Sequence, residues 1–435
     1  MKTVPIREAR VDVGAGAPPS AVDTRASLRW LLAAPHRLGF FAAACMLAAS
    51  ALWWTAVLLS RAAGYSPPWA VAPPAAHGLL MGLGFTPLFI AGFLFTAGPK
   101  WLGEAAVEAR VLLWPVLLML AGWCLVLPGL HLSSLLAAAG LALVAVGWSR
   151  LSMRFVAILR ASRVPDRTHA CVVAAACVVG AATMWVAVGA LAMQDVAVLR
   201  AATQVALWGF VATVFVAVSH RMIPFFSSSA LPTLDAWRPM WLLGVMVAAL
   251  WLEALAAVAA LGWGPLAPWL RGVQAAIELP VAVLLLWLAL RWGVVQSLKI
   301  RMLAMLHAGF LWLGLAYALS ALSHALMATT GGELSLGLAP MHALTMGYLG
   351  ATLLAMATRV SSGHSGRSLA ADNAAWAMYW VLQAAVVLRV VAALWEAGSM
   401  GVTLLAVLAW ATATVAWALR YGRWFVRPRV DGRPG

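Results

Sequence analysis

Residues 342–367 read HALTMGYLGATLLAMATRVSSGHSGR, an apolar helix-like run with a histidine near each end. His342 and His364 are 22 steps apart, about 33 Å at ~1.5 Å per residue. That is the thickness of a bilayer's hydrocarbon core, about 30 Å. The run therefore reads as one membrane crossing that carries an imidazole at both faces, with Arg359 and Arg367 flanking the second.

The rest of the chain has the same character. Hydrophobic residues make up 64% and charged residues 10% of 435, where a soluble domain carries about a quarter charged residues. Apolar runs of membrane length recur from residue 34 almost to the C-terminus, which predicts an all-α polytopic membrane protein, a bundle of about twelve transmembrane helices in a lipid bilayer. Residues 1–33 lack an apolar signal core and read as a flexible, retained cytoplasmic tail. Residues 34–424 form the transmembrane domain and 425–435 a basic cytoplasmic tail. Cys45, Cys124, Cys171 and Cys177 fall inside apolar runs with no C-x-x-C or C-x-x-C-H spacing, so they read as free thiols, without covalent haem attachment.

The segments fall at 34–60, 75–98, 107–127, 130–149, 169–193, 200–225, 238–261, 268–292, 301–328, 338–360, 373–396 and 400–424. Pro, Gly and charge mark the breaks, as in SPPWAVAPP and TTGGELSLG. Alternating sides along this map puts 25 of the 29 Lys and Arg on the side of the N-terminus. The other side receives only Arg61, Arg200 and Arg271, and Arg389 lies within a segment. By the positive-inside rule both termini are cytoplasmic. The net charge of +15 is then a topology signal and calls for no nucleic-acid partner.

The nine histidines divide between the faces. His77, His131, His324 and His342 lie toward the outer side, and His220, His307 and His364 toward the cytoplasmic side. A lone histidine near a helix end is most often an interfacial polar residue, and His36 and His169, in Arg-rich loops, are read that way. Ionisable groups within spans usually face a bundle interior or a cofactor, and imidazole is a ligand for haem iron and copper. HGLLMG (77–82) and HALTMG (342–347) share H-x-x-x-M-G, which stacks His77 on Met81 and His342 on Met346 on a helical face. Imidazole with thioether is a haem or copper pairing, so these four are candidate metal ligands. Arg389, in the outer part of segment 11, needs an anion, which haem propionates, Glu253 or Glu278 would supply. Glu278, in AAIELPVAV two residues before Pro280, lies near mid-membrane and is the candidate proton-delivering catalytic carboxyl. No P-loop, dinucleotide fingerprint or H-E-x-x-H is present.

Three stretches, AHGLLMGLGFTPLFIAGFLFTAGPKWLG (76–103), SHRMIPFFSSSAL (219–231) and MHALTMGYLGATLLAMATRVSSGHSGRSL (341–369), closely resemble the NnrS family. The resemblance implies a twelve-span protein of the bacterial inner membrane that binds haem and copper and is linked to nitric-oxide stress during denitrification. It implies His77, His220, His307, His342 and His364 as haem or metal residues. The chain departs from the family's frequent H-x-H-E-M, having Leu79 and Leu80 at the second His and the Glu.

On this reading segment 10 offers His342 to an outer site and His364, with Arg359 and Arg367, to an inner one. Segment 9 does the same with His324 and His307, about 25 Å apart at ~1.5 Å per residue. One site would hold haem, of b type, and the other a second haem or copper. Two functions remain open: a haem metalloprotein that binds or reduces nitric oxide with electrons from a separate donor, as an oxidoreductase; and a transporter or handling protein for a metal, haem or metal complex. Glu278 as a proton source favours the first, and His–Met pairs at both faces suit the second.

Overall fold

The structure is a computed structural model that describes residues 26–395 and 399–432. Among the described residues there is no strand, and twelve helices are long and apolar enough to cross a membrane. They are α1 (Pro35–Ala62), α2 (Pro73–Trp101), α3 (Arg110–Leu132), α4 (Ser134–Ala161), α5 (Thr168–Ala192) and α6 (Val196–Ala230). The second half holds α7 (Met240–Trp263), α8 (Pro268–Arg291), α9 (Arg301–Thr329), α10 (Ala339–His364), α11 (Asn373–Leu394) and α12 (Ser399–Phe425). The expected polytopic all-α architecture is therefore the observed one.

Several boundaries differ from the sequence reading by a few residues, and those around α4 differ most. The turn between α3 and α4 is the single residue Ser133, extended at φ −164° and ψ 124°, whose hydroxyl accepts from Leu136 N. His131 consequently closes α3 and does not open α4. Helix α4 also runs on to Ala161, through Arg150, Arg154 and Arg160, which the sequence reading left in a loop. No Pro or Gly interrupts this stretch, and Arg is a good helix former whose stem can lie along apolar surface while its head reaches water.

Three spans depart from a straight α-helix. Helix α2 breaks at Gly84 and Phe85, just before Pro87, which has no N–H to continue the ladder. Helix α6 contains a π-helical stretch, Ala206–Ala212, and α10 another, Ala343–Gly350. Such i→i+5 turns are rare and concentrate at functional sites.

Small residues let the helices approach closely, as packing inside a bilayer requires. A Cβ on Gly39 of α1 would lie 2.5 Å from Gly92 Cα of α2, and one on Gly122 of α3 would lie 2.5 Å from Gly140 O of α4. The two chain ends meet on one face, where Ser27 N donates to Val426 O at 2.8 Å. Residues 28–33 of the expected tail form a 3-10 helix with Leu31 buried, while residues 1–25 lie outside the described residues. Beyond α12, the guanidinium of buried Arg37 donates to Arg427 O at 2.7 Å, and Val430 N donates to Ser365 O at 3.1 Å. The C-terminal segment is thereby drawn over the end of α10. This face is called the termini face below, and the other the opposite face.

Candidate functional site

The termini face holds the largest cluster. His364 ends α10 and His36 begins α1, and their rings lie 4.4 Å apart between centroids. The neighbouring helix fixes His36: its backbone N–H donates to Thr96 Oγ1 of α2 at 3.0 Å. Its Nδ1 is buried with no hydrogen-bond partner. Beside the pair opens a cavity with about 1040 Å³ of empty space, including its mouth. Its lining combines the apolar Phe93, Trp101, Met222 and Phe226 with His364, Lys100, Arg359 and Arg429. The Arg359 guanidinium lies 3.9 Å from the centre of the Phe226 ring, a cation–π contact that leaves its N–H groups free for an anion. A second, apolar cavity of about 60 Å³ shares Phe93 and Met356 with the first and runs past Thr352, whose buried hydroxyl has no partner. Just beyond the span, Arg367 stacks on Trp424 at 4.2 Å. Burial, then the charges of Arg427 and Arg420, lower its pKa from the ordinary value, while a hydrogen bond to Asp431 raises that of Arg429.

A second pair on the same face joins α5 to α6. His169 Nε2 and His220 Nδ1 are 2.9 Å apart, and His220 Nε2 faces Pro239 O at 3.2 Å. A carbonyl only accepts, so His220 Nε2 carries its proton and His169 Nε2 donates to the bare His220 Nδ1. The remaining nitrogen, His169 Nδ1, is buried and unpartnered. On the same face His307 of α9 bonds to Ser227 Oγ of α6 through Nε2 at 2.8 Å, and its buried Nδ1 is likewise free.

On the opposite face His77 of α2 stacks against Trp54 of α1, with centroids 4.1 Å apart. Its Nδ1 is sealed from solvent and unpartnered. His342 of α10 and Arg389 of α11 lie within electrostatic range of it. His342 Nδ1 donates to Leu338 O at 2.9 Å, which fixes the tautomer and leaves Nε2 as a lone-pair donor, the arrangement that metal-binding imidazoles use. Met81 shares a face with His77 in a regular helix, but Met346 sits inside the π-helical stretch. His131 takes no part: Trp53 Nε1 donates to its Nε2, and its Nδ1 bonds to Pro68 O, each at 2.9 Å.

Glu278 and His324 belong to neither cluster. His324 Nδ1 lies 2.9 Å from both carboxylate oxygens of Glu278, and His324 Nε2 is 3.3 Å from the Arg271 guanidinium. With both ring nitrogens engaged, His324 has none left for an iron or copper. The cation within electrostatic range of Glu253 and Glu278 is Arg271, while Arg389, for which haem propionates, Glu253 or Glu278 were the candidate anions, has no ion-pair partner among the described residues.

The structure thus gathers His364 with Arg359, and His77 with His342 and Arg389. His220, His307 and His324 are each held by a different neighbour. Sequence reasoning passed over His36, His169 and Arg271. For Arg271 a signal existed, since 271, 274 and 278 are spaced i, i+3, i+7 on one helical face. For the two histidines it did not, because their partners lie on helices remote in sequence. Among the described residues no three His, Cys, Asp or Glu side chains converge as a metal site.

A family model described as NnrS protein matches residues 30–429 of the chain. No curated protein matches it.

Proposed function

Since the chain belongs to the NnrS family, whose members are linked to the nitric-oxide response, we propose that it is a haem-containing membrane metalloprotein that binds or reduces nitric oxide. The observation that carries this reading is the termini-face cavity. Within that space the cavity volume is about 450 Å³, inside the roughly 300–1,000 Å³ of small-molecule pockets. Its chemistry matches a flat apolar macrocycle with two carboxylates: aromatic side chains, cationic side chains and an imidazole. His364 would be the iron ligand, and Arg359 and Lys100 would pair the propionates. Haem b, when bound there, supplies the iron centre for nitric oxide.

The residues around it act independently of the iron. Arg37 holds the C-terminal segment on this face by donating to Phe425 O and Arg427 O. The apolar cavity behind Phe93 and Met356 gives a small uncharged gas a dry place beside the site. His77 and His342, with Arg389, would hold the second haem or a copper ion. His324, engaged by Glu278 and Arg271, contributes no ligand. Reduction would need an external electron donor and protons, for which Glu278, near the middle of α8, remains the candidate. With both termini cytoplasmic and the chain in the bacterial inner membrane, the His364 site faces the cytoplasm.

One alternative has its own observation. Imidazoles come in twos (His36 with His364, His77 with His342, His169 with His220) and never as a closed three-ligand set among the described residues. Open pairs suit the handling or transport of a metal or metal complex. The absorption spectrum decides between the two. Protein purified from haem-replete cells should show a Soret band that shifts with nitric oxide, and His364→Ala should lower bound haem while His131→Phe should not. A colourless, folded protein that binds copper selects the handling role.

A further inference from the structure

The polar residues of α7, α8 and α9 form a network that neither haem nor copper uses. Along α8, Gln274 and Glu278 are buried while Ile277 and Leu279 point to lipid, so Arg271, Gln274 and Glu278 make a polar stripe turned inward. It meets Glu253 of α7, and Tyr317 and His324 of α9. Each side chain has a role fixed by its neighbours. The Arg271 guanidinium donates to Gln274 Oε1 at 3.0 Å, so the Gln274 amide nitrogen turns to Glu253 Oε2, at 3.2 Å. Arg271 also faces His324 Nε2, which must therefore be bare, and His324 Nδ1 carries the proton that it donates to Glu278.

Charge counting then leaves one term open. Glu278, fed by His324 and close to Arg271, is the anion that balances the guanidinium. Glu253 has no second cation. Its Oε1 is buried with no donor, although its carboxyl lies within hydrogen-bonding reach of that of Glu278. Two carboxylates cannot bond to each other, but a carboxylic acid and a carboxylate can. Independently, the Tyr317 hydroxyl, in a residue 4% exposed, has no partner and lies in electrostatic range of both glutamates.

We propose that Glu253 and Glu278 form a single intramembrane proton-binding site, with the exchangeable proton on Glu253 Oε1 donated to the Glu278 anion. Arg271 and His324, the half-buried members, are the side from which solvent reaches it, and Tyr317 is its deep end. A metal cation is disfavoured because Arg271 already supplies the one fixed positive charge. The site goes beyond the haem reading and does not depend on it.

Infrared spectroscopy of the full-length protein in lipid tests this. Expected is a protonated-carboxyl C=O band at neutral pH that shifts in D2O and is present with or without haem. Either Glu253→Gln or Glu278→Gln should abolish it, because removing one partner leaves the other as the sole counter-charge to Arg271. Glu104→Gln, at the termini-face end of α2, should leave it intact. A hydrophobic carbodiimide, which reacts with buried protonated carboxyls, should label Glu253 and spare Glu278 in the unmutated protein, so the result survives a variant that fails to fold. Absence of the band and of the label, a band that persists in Glu253→Gln, or a band removed by sodium at constant pH overturns the proposal.

Discussion

Gly39→Ala is the substitution through which helix packing and the termini-face site can be tested together. Gly39 lies one turn after His36 in α1, and its added Cβ would sit 2.5 Å from Gly92 Cα, 2.7 Å from Gly92 N and 3.0 Å from Leu88 O. All three are backbone atoms of α2 and cannot rotate away. Carbon atoms pack at about 3.5–4.0 Å, so the helices must part locally by roughly 1–1.5 Å. Overpacking of this kind costs about 1–3 kcal/mol, and no water-driven force in a bilayer pulls the helices back. The same displacement acts on the site. The His36 N–H reaches Thr96 Oγ1 at 3.0 Å, and adding about 1 Å takes it beyond hydrogen-bond range. The expected result is a lower unfolding midpoint in detergent by tryptophan fluorescence, together with less haem per protein. Gly244→Ala is the control: its Cβ would meet nothing within 4 Å, so stability should hold or rise by up to about 1 kcal/mol from helix propensity. If Gly39→Ala matches Gly244→Ala in both stability and haem content, α1 and α2 do not make this approach and the argument fails.

Three further outcomes follow. Glu278→Gln should keep fold and haem content, since Glu253 can take over the anion beside Arg271, yet depress any nitric-oxide turnover; full activity with intact haem relegates Glu278 to packing. His131→Phe removes the bonds to Trp53 and Pro68, about 1 kcal/mol each, so it should lower the unfolding midpoint while leaving haem and copper content unchanged. A phosphatase fused after residue 435 should be inactive in the periplasm; activity there would reverse the proposed orientation.

The twelve spans were legible because each is bounded by signals the chain states locally: a run of membrane length, then Pro, Gly or charge. The exceptions are also local in cause. The arginines of α4 read as loop because charge usually ends a span, whereas Arg at a helix end can extend the helix into the headgroup region. The π-helical stretch in α10 carries no such mark. ALTMGYLG looks like any apolar helix, and only the structure shows its i→i+5 turns.

The site was legible in depth and not in azimuth. Counting along a span fixes how far a residue lies from each face, so His342 and His364 were correctly expected at opposite ends of α10. It does not fix which neighbour a side chain meets. Arg389 and Arg271 illustrate this. Both were placed toward the outer side, and either could have balanced Glu278 on depth alone. The choice is made by α8 itself, where Arg271 and Glu278 are seven residues apart on one face, while α11 turns Arg389 toward His77 and His342. His36 and His169 fail for the complementary reason. Their sequence neighbours are arginines and the expected environment was the aqueous interface, but each begins a helix whose first turn is covered by another span. Their rings are 2% and 3% exposed. A polar residue in a basic loop and a buried imidazole facing its twin are the same sequence, and only the packing of a remote helix separates them.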